Sequence, residues 1–397
     1  MVSRAPYRMP YDGERVPHLV LEVNQRCNIR CTACYKHKDG ATKPVEQILA
    51  EADLALARRR LQVITLAGGE PTLHPELAEV VRALTARGVR VQMLTNGYDL
   101  SEEQLVRLRE AGLKELFLHI DSLQTRPDVP AGASERELNA LRRSVAEKVV
   151  RSGIACSLSL TLYRATLADL PGLVRFTLTE PSITRLLVTC CTDFDRIGRD
   201  FTGGEILGTR QGTGGVKPLG PGESLAEQIV TSAEVEALLR GALGMEPFGY
   251  VASSHDLEAR RWLFYYSVAL HRPGQPAELL HFDPTFQRAV KLSYGLARLR
   301  GRGYSFAQVY SSGQAALLGL LNAAASLSPR TMARTARFLA GLRSDGAWLQ
   351  HKSFTFQQGP NLNADGEIEY CRDCPDATVR DGVMVPVCLV DVVKPQG

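Results

Sequence analysis

The sequence predicts an α/β fold, followed by a helical insertion and a small cysteine-rich C-terminal region of β-hairpins. From residue 18 to about 189, short apolar segments alternate with stretches of helical periodicity, which is typical of parallel strands joined by crossover helices. Near the C-terminus, two Asp-Gly pairs stand among β-prone residues, which favours tight hairpins. The predicted regions are an N-terminal extension (1–17), an α/β unit (18–195), a Gly-rich linker or lid (196–223), a helical region (224–352) and a cysteine-rich domain (353–397).

Length and composition indicate a globular protein with a sizeable core. The chain has 397 residues, of which 44% are apolar, and this is enough for one large core and an additional domain. Its net charge of +4 gives no reason to expect a nucleic-acid partner. The sequence has no apolar run long enough to span a membrane and no N-terminal signal-peptide pattern, so we expect a cytoplasmic protein without a transmembrane segment.

Six strands are predicted in the α/β unit. They are His18 to Val23, Gln62 to Leu66, Arg90 to Leu94, Glu115 to Ile120, Ala155 to Leu162 and Arg185 to Val188. In parallel sheets, ligands bind beyond the carboxyl ends of the strands. Polar and glycine residues that follow these strands are therefore expected to converge on one rim.

The region after the α/β unit is predicted from its glycines and its helical signals. Nine glycines between Gly198 and Gly222 indicate a flexible linker, with a lid as the alternative. A capping-box pattern at Ser224 to Glu227 predicts a helix that continues to Leu243. The aromatic segment Ala259 to Leu270 and the Ala- and Leu-rich segment Phe306 to Leu327 are predicted to be helical, either packing on the α/β unit or lining an apolar substrate cavity.

Cys27, Cys31 and Cys34 form a C-x3-C-x2-C motif directly after the first predicted strand. Three thiolates can hold three irons of a 4Fe-4S cluster and leave the fourth iron open for chemistry. A structural zinc site is the alternative, although zinc motifs more often use paired C-x2-C units.

Gly68, Gly69, Glu70 and Pro71 follow the second predicted strand. Glycines allow a backbone to approach a ligand closely, and a carboxylate can accept hydrogen bonds from an ammonium group. Together with the cysteine motif, this GGEP segment resembles the signature of the radical S-adenosylmethionine (radical SAM) enzymes. One departure from the family pattern is Ala33, where an aromatic residue usually precedes the third cysteine.

The resemblance implies a partial (β/α)6 barrel, an oxygen-sensitive 4Fe-4S cluster and SAM bound to the open iron. It further implies that GGEP holds the amino group of SAM, and that one electron from the cluster cleaves SAM to a 5'-deoxyadenosyl radical. That radical would abstract hydrogen from a substrate. The electron donor is expected to be a protein such as flavodoxin or ferredoxin.

Further polar residues at strand ends are candidate SAM contacts. Asp121 and Ser122 resemble the position that contacts the SAM ribose, with a helix N-cap as the alternative, and Asn96 is either close to SAM or part of a turn. His119 is either a proton donor or a structural histidine. Tyr35 is a candidate neighbour of the adenine, and no catalytic residue is assigned.

Cys371, Cys374 and Cys388 form a second motif, C-x2-C-x13-C. It resembles the C-terminal cluster motif of the GTP 3',8-cyclase of molybdenum-cofactor synthesis and the Twitch and SPASM-type auxiliary domains of radical SAM proteins. The implied ligand is a second 4Fe-4S cluster. A zinc ion with a fourth ligand such as His351 is the alternative, and the adjacent pair Cys190-Cys191 could also supply a fourth ligand.

The sequence therefore predicts a radical SAM enzyme that cleaves SAM and abstracts hydrogen from a small molecule, assisted by an auxiliary cluster. A lipid or isoprenoid substrate is an alternative, supported by the apolar helical region. A peptide substrate is disfavoured because only about 17 residues precede the first predicted strand, and GTP is disfavoured by the long helical insertion. A non-catalytic iron-sulfur or zinc protein is the alternative of another class.

Overall fold

The computed structural model describes residues 5–36, 40–213, 225–299 and 310–395. In these ranges the α-helices are α1 Val45–Arg58, α2 Leu77–Ala86, α3 Glu102–Ala111, α4 Leu138–Arg151, α5 Leu170–Thr179, α6 Phe194–Asp200, α7 Ser232–Leu243, α8 Gln287–Leu299, α9 Ser312–Ser326 and α10 Pro329–Ala340. The strands are β1 Tyr7–Arg8, β2 His18–Asn24, β3 Arg30–Cys31, β4 Val63–Gly68, β5 Arg90–Thr95, β6 Glu115–His119, β7 Gln124–Thr125, β8 Ala155–Leu162, β9 Arg185–Cys190, β10 Gly204–Ile206, β11 Thr209–Thr213, β12 Gly249–Ala252, β13 Arg260–Arg272, β14 Gln275–His281, β15 Trp348–Gln358, β16 Asn361–Leu362, β17 Ile368–Glu369, β18 Ala377–Arg380, β19 Val383–Pro386 and β20 Val393–Pro395.

One large sheet organises the molecule. Strands β2, β4, β5, β6, β8 and β9 are neighbours in that order, and every pair is parallel. Each predicted strand start lies within one residue of the observed start. The predicted alternation and the mixed α/β fold typical of a partial (β/α)6 barrel are confirmed.

The crossover helices follow from amphipathic patterns in the sequence. Helix α1 buries Val45, Ile48, Ala52 and Ala55, whose spacing places them on one face toward the sheet. Burial of such a face, rather than helix propensity alone, stabilises helices of this length. The helices thereby fix the strand order, which in turn brings the strand ends together at one rim.

The prediction of a helix over Ala259 to Leu270 is wrong, because this segment lies in strand β13. Trp262 and Phe264 pack in one apolar cluster, whereas Leu263 and Tyr265 pack in another on the opposite side of the strand. Since both faces are buried, the sequence shows a continuous apolar run without alternation, which does not separate a strand from a buried helix. Its aromatic content is the signal that favours a strand.

The strands of this middle region extend the sheet. Strand β15 pairs parallel with β9, and β13 pairs antiparallel with β15, so the predicted boundary between residues 352 and 353 falls inside β15. Strands β12 and β14 both pair with β13. The N-terminal residues also take part, because β1 pairs parallel with β12.

The predicted linker contains regular structure where it is described. Strands β10 and β11 form a hairpin, and β11 pairs with β20 near the C-terminus. Residues 214–224 lie outside the described residues, and they include the first residue of the predicted capping box. Helix α7 begins later than predicted, with a capping box formed by Thr231 and Glu234.

The other helical prediction is confirmed in its described part. Residues 306–309 lie outside the described residues, and α9 begins at Ser312.

The C-terminal region forms the two predicted hairpins. Strands β16 and β17 flank one Asp-Gly turn, and β18 and β19 flank the other. Gly366 and Gly382 have φ angles of 80° and 74°, a conformation that glycine adopts without strain. A search of the described residues finds no helix that combines the length and hydropathy needed to span a membrane.

Candidate functional site

A cavity of about 210 Å³ lies at the carboxyl ends of the parallel strands. Both predicted cysteine motifs line it, although they lie more than 300 positions apart in the sequence. The cysteines are Cys27, Cys31, Cys34, Cys371, Cys374 and Cys388. The fold therefore brings the two motifs to one site.

Neighbouring backbone and hydroxyl groups fix the loop that carries the first three cysteines. Cys31 lies in β3, which pairs antiparallel with β7. The Thr32 hydroxyl donates to the carbonyl of Leu123 at 2.8 Å, and the Ala33 N–H donates to the Tyr163 hydroxyl at 3.1 Å. These bonds hold the loop at the strand ends.

The two glycines after β4 allow the chain to pass against this loop. The Gly69 N–H donates to the carbonyl of Asn24 at 2.9 Å, and the Glu70 N–H donates to that of Arg26 at 2.7 Å. A Cβ atom on Gly68 would lie 2.2 Å from the Asn24 carbonyl oxygen, and one on Gly69 would lie 2.1 Å from that of Arg26. Only glycine fits both positions, so the GGEP segment supports the approach to Cys27.

Glu70 contacts protein groups rather than the cavity. Its buried carboxylate accepts hydrogen bonds from the N–H and hydroxyl of Thr72 at 3.0 and 2.7 Å, from the Thr95 hydroxyl at 2.7 Å and from the Asn96 N–H at 2.8 Å. Burial raises the pKa of Glu70, and these bonds oppose the rise. The geometry favours a positioning role, in which the carboxylate joins two strand ends, over the expected direct contact with SAM.

The residues of the GGEP segment differ in whether they line the cavity. Gly68 and Gly69 line the cavity, whereas Glu70 and Pro71 are not among the described residues that do. Pro71 is buried at the start of a short 3-10 helix. The glycines are thus the part of this segment that faces a ligand.

Asn96 lies at the cavity and reaches the cysteine loop. Its side-chain nitrogen donates to the Asn28 side-chain oxygen at 2.7 Å and lies 3.9 Å from the Cys27 sulfur. Its side-chain oxygen accepts from the Tyr98 N–H at 2.8 Å. Asn96 was expected either to form a turn or to lie close to SAM. Its contacts show that it forms the turn and also lines the cavity, so the two alternatives are compatible.

Asp121 and Ser122 do not line the cavity in the described structure. The Asp121 carboxylate accepts from the N–H groups of Leu123 and Thr161 at 3.0 and 3.3 Å, and lies 3.1 Å from Nε2 of His119. The geometry gives no support to the expected ribose contact. Instead, Asp121 shapes the loop that leads to β7, and His119 is the residue of this group that faces the cavity.

Cys371 and Cys374 are buried beside aromatic and cationic groups. The indole N–H of Trp262 donates to the Cys371 sulfur at 2.9 Å. A hydrogen bond from Cys374, together with the charge of Arg261 and the indole, lowers the pKa of Cys371, while that same bond and burial raise the pKa of Cys374. This environment favours a thiolate at Cys371.

The remaining contacts attach this second trio to the barrel. Cys388 lies in a 3-10 turn after β19, and burial raises its pKa. Arg59, at the end of α1, donates to the carbonyl of Cys374 at 2.9 Å. The C-terminal hairpins are therefore held against the first helix of the barrel.

The candidates for a fourth ligand beside the second trio differ in whether they line the cavity. Cys190 and Cys191 line the cavity, and burial raises the pKa of each to about 12. His351 does not line it, since it lies on β15 six residues before Gln357, roughly 20 Å along an extended strand. The structure therefore gives no support to the alternative in which His351 completes a zinc site, whereas Cys190 and Cys191 line the same cavity as the second trio.

Both trios consist of cysteines, whose thiolates suit iron-sulfur clusters and also zinc. A 4Fe-4S cube takes its thiolate ligands on separate irons, so three cysteines can hold three of its four irons. Among the described residues, no three histidine, cysteine or acidic side chains converge closely enough for a single metal ion.

A buried cluster of charged side chains connects the cysteine loop to the C-terminal segment. Sequence patterns did not predict this cluster. Lys36, two residues after Cys34, lies 2.7 Å from Glu22 and 2.8 Å from Asp391, and Arg380 lies 3.1 and 3.4 Å from the same two carboxylates. Removing one partner of such a buried pair typically destabilises a protein by about 3–5 kcal/mol. The two cysteine-bearing segments are therefore coupled.

A second cavity of about 110 Å³ lies deeper in the barrel and shares part of its lining with the first, including Leu94, Leu187 and Trp262. Its other lining residues mostly precede the rim on the same strands. They include Thr65, Gln92, Phe117, Arg185, Phe264, Tyr266, Ser353 and Thr355. Sequence analysis missed these inward positions because only the strand register identifies them.

Hydrogen bonds fix the floor of the deeper cavity. Nδ1 of His18 lies 2.9 Å from Asp376, and its Nε2 lies 2.7 Å from the Thr65 hydroxyl. Gln92 donates to the same hydroxyl at 2.7 Å and accepts from Arg185 at 3.0 Å. These hydrogen bonds connect polar groups from four strands and one loop, which makes this floor rigid.

Parts of the chain are similar in sequence to known proteins. A sequence model of the radical SAM superfamily matches residues 21–176. The chain is 34% identical over 116 residues to a tungsten-containing aldehyde ferredoxin oxidoreductase cofactor-modifying protein of Pyrococcus furiosus, covering 28% of this chain and 33% of that protein. It is 30% identical over 205 residues to a GTP 3',8-cyclase of Synechococcus elongatus, covering 48% and 61%.

Among solved structures, Streptococcus suis SuiB bound to S-adenosylmethionine is 17% identical, with a TM-score of 0.36 and coverage of 45% of this chain and 42% of that chain. The chain spans less than two thirds of the length of the curated relatives named above. The segment matched by the sequence model contains the first cysteine motif, the glycine turn and most of the parallel strands. Residues 21–176 are therefore identified as a segment similar to the radical SAM superfamily.

Proposed function

We propose that this protein cleaves SAM reductively and abstracts hydrogen from a small molecule held inside the barrel, with a second 4Fe-4S cluster on the C-terminal cysteines. The observation that carries the proposal is the convergence of both cysteine trios and the glycine turn on one cavity. A protein that only stored or carried a metal would not need this shared chamber.

The residues around the first trio suit the binding of a cluster and SAM. When bound, these groups would supply the one-electron cleavage and the hydrogen abstraction. The protein holds Cys27, Cys31 and Cys34 on a loop fixed at the strand ends, and it places Gly68 and Gly69 beside them. Asn96 bonds to the same loop and lines the same cavity.

The residues around the second trio suit a buried cluster. Cys371 receives the indole N–H of Trp262, and the buried guanidinium of Arg261 offsets negative charge on the sulfurs. Such a cluster would supply a substrate ligand site or accept an electron from the product. Cys190 and Cys191 line the same cavity and are the candidates for a further ligand.

The deeper cavity supports a small substrate. Its lining combines aromatic residues such as Phe117 and Phe264 with polar residues such as Gln92 and Thr355. A cavity of about 150 Å³ accommodates one benzene molecule, so the deeper cavity, at about 110 Å³, suits a small ring or a short chain. This size gives less support to a long lipid or isoprenoid substrate.

The direct test is SAM cleavage by anaerobically reconstituted protein with dithionite as reductant. We expect 5'-deoxyadenosine to form in proportion to cluster loading. If iron and sulfide analysis shows a loaded first site but no 5'-deoxyadenosine forms, the proposal is overturned and a non-catalytic iron-sulfur protein is favoured.

The second cluster is tested with Cys374→Ala. Because this thiol is one of the C-terminal trio, iron content should fall by about one cluster, while SAM cleavage in the absence of substrate is retained in part. Cys156→Ala is the matched control, since Cys156 is buried in β8 and does not line the cavity. Unchanged iron content in Cys374→Ala would contradict a second cluster.

A further inference from the structure

The helical segment between the middle strands has an unusual charge. Residues 284–344 contain nine basic and no acidic residues, whereas the whole chain has 47 basic and 43 acidic residues. The segment contains helices α8, α9 and α10. Its charge is therefore a local property and not one of the whole protein.

Helix α8 exposes an apolar stripe. Leu292, Leu296 and Leu299 are 65%, 46% and 85% exposed. Their spacing of four and three residues places them on one face. The buried residues of this helix, Gln287 and Val290, lie elsewhere on it.

Helix α9 exposes a second stripe. Leu317, Leu320 and Leu321 are 55%, 52% and 40% exposed, again at helical spacing. The helix contains no charged residue at all. Its opposite side is buried at Ala315 and Gly319.

Exposed leucines at this density are confined to this segment of the described chain. Leu327 and Met332 extend the apolar surface at the end of α9 and on α10. Other exposed large apolar side chains among the described residues stand singly, as is normal for protein surfaces; they are Leu73, Val106, Val150, Leu257 and Trp348. Contiguous apolar patches, in contrast, mark interaction sites.

Exposed basic residues accompany the leucines. Lys291 and Arg298 lie on α8, and Arg330, Arg334 and Arg337 lie on α10. No ion pair within the described part of the chain involves any of them, although Lys291 lies over the Tyr7 ring and Arg334 donates to the carbonyl of His281 at 3.4 Å. Neither contact neutralises the positive charge, which therefore remains available to an external anionic partner.

We propose that helices α8, α9 and α10 form a binding face for an anionic phospholipid bilayer. The leucines would enter the boundary between headgroups and acyl chains, and the arginines and lysine would contact lipid phosphates. Apolar stripes alone would fit another protein and charge alone would fit nucleic acid, but the combination is that of an interfacial helix. The 13 and 15 residues of α8 and α9 are too few to span a bilayer, which needs about 20.

The test is flotation of the full-length protein with vesicles, and it does not depend on SAM chemistry. We expect binding to phosphatidylcholine vesicles that contain phosphatidylglycerol to be at least about tenfold stronger than to phosphatidylcholine alone. The double variants Leu317→Ser/Leu320→Ser and Arg334→Gln/Arg337→Gln should each weaken binding about tenfold or more. These side chains are exposed, so circular dichroism should show an intact fold.

The matched control is Val106→Ser/Val150→Ser, which removes exposed apolar side chains from α3 and α4. It should bind vesicles as the unchanged protein does. Absence of binding to both vesicle types, or binding that the leucine variant leaves unchanged, would overturn the proposal. So would sedimentation that shows a dimer dissociated by the leucine variant without vesicle binding, since a second copy would then cover the face.

Discussion

The two cysteine trios occupy one cavity but are held in different ways. The first trio lies on a half-buried loop, fixed by strand pairing of Cys31 and by backbone contacts with the glycine turn. In the second trio, Cys371 and Cys374 are buried, and the Cys371 sulfur itself receives the indole N–H of Trp262.

This difference suggests a division of roles. A loop held mainly by its backbone leaves its thiols facing the chamber, which suits a cluster that must bind a cofactor at one iron. Hydrogen bonds to a sulfur and nearby positive charge instead tune the electronics of the metal they hold. We therefore expect the first trio to be sensitive to loop geometry and the second to the loss of individual side-chain contacts.

The largest expected effect is that of Cys31→Ala. The variant loses one of three thiolates that would hold the first cluster, so SAM cleavage should fall to background. The measurement is 5'-deoxyadenosine formation together with iron content. Cys156→Ala, with its thiol buried away from the cavity, should keep most of the activity, and persistent cleavage in Cys31→Ala would remove the assignment of the first trio.

Gly69→Ala should have the next largest effect, although it removes no ligand. The added Cβ would lie 2.1 Å from the Arg26 carbonyl oxygen, so the cysteine loop must shift. We expect about a 10- to 100-fold loss of SAM cleavage, the range found when groups that orient metal ligands are disturbed. Activity and iron content are measured together.

The control for that variant is Gly172→Ala. Gly172 lies in α5 with no atom within 4 Å of an added Cβ, and alanine favours a helix. Its activity should match that of the unchanged protein. Equal activity in Gly69→Ala would show that the close approach of the two segments does not govern the first site.

Trp262→Phe tests the second trio with a smaller expected effect. Phenylalanine keeps the aromatic bulk but removes the donor to the Cys371 sulfur. SAM cleavage without substrate should be unchanged, whereas the reduction potential of the second cluster should shift and its loss on incubation with chelator should be about tenfold faster.

Trp348→Phe is the matched control, because Trp348 is partly exposed and stacks on His271. It should change neither the potential nor the loss of metal. A Trp262→Phe protein with an unshifted potential would contradict the contrast between the two trios.

Prediction from sequence succeeded for the barrel half of the molecule. Helix and strand patterns alternate clearly between residues 18 and 189, and the cysteine and glycine motifs lie at strand ends. It failed for β13, because a strand buried on both faces has no alternation to read.

Within the site, the sequence motifs predicted which residues lie close together but not which of their atoms face the cavity. Glu70 was expected to contact SAM, and Asp121 either to contact its ribose or to cap a helix, yet both carboxylates are bonded to neighbouring protein groups. Buried acceptors must be satisfied, and the groups that satisfy them come from other strands. Only the three-dimensional register reveals such partners, and the same holds for Lys36 and Asp391.

The smallest expected effect is that of replacing His351. It tests whether this histidine is a metal ligand or a buried structural residue. Burial, followed by the charges of Arg185 and Lys352, lowers the pKa of His351 to about 3. The unfolded chain binds a proton near pH 6.5, so the neutral side chain contributes its full stability above that pH. This contribution is lost as the pH falls from 6.5 toward 3.

Glutamine does not titrate, so the His351→Gln variant lacks this pH dependence. The free energy of unfolding of the unchanged protein, relative to that of the variant, should therefore fall by about 2 kcal/mol between pH 7 and pH 5. Urea unfolding at both pH values measures it. The His351→Gln variant should not lose metal, because His351 does not line the cavity. Loss of metal from His351→Gln would restore this histidine as a ligand, and a pH-independent difference would show that it is not held neutral by burial.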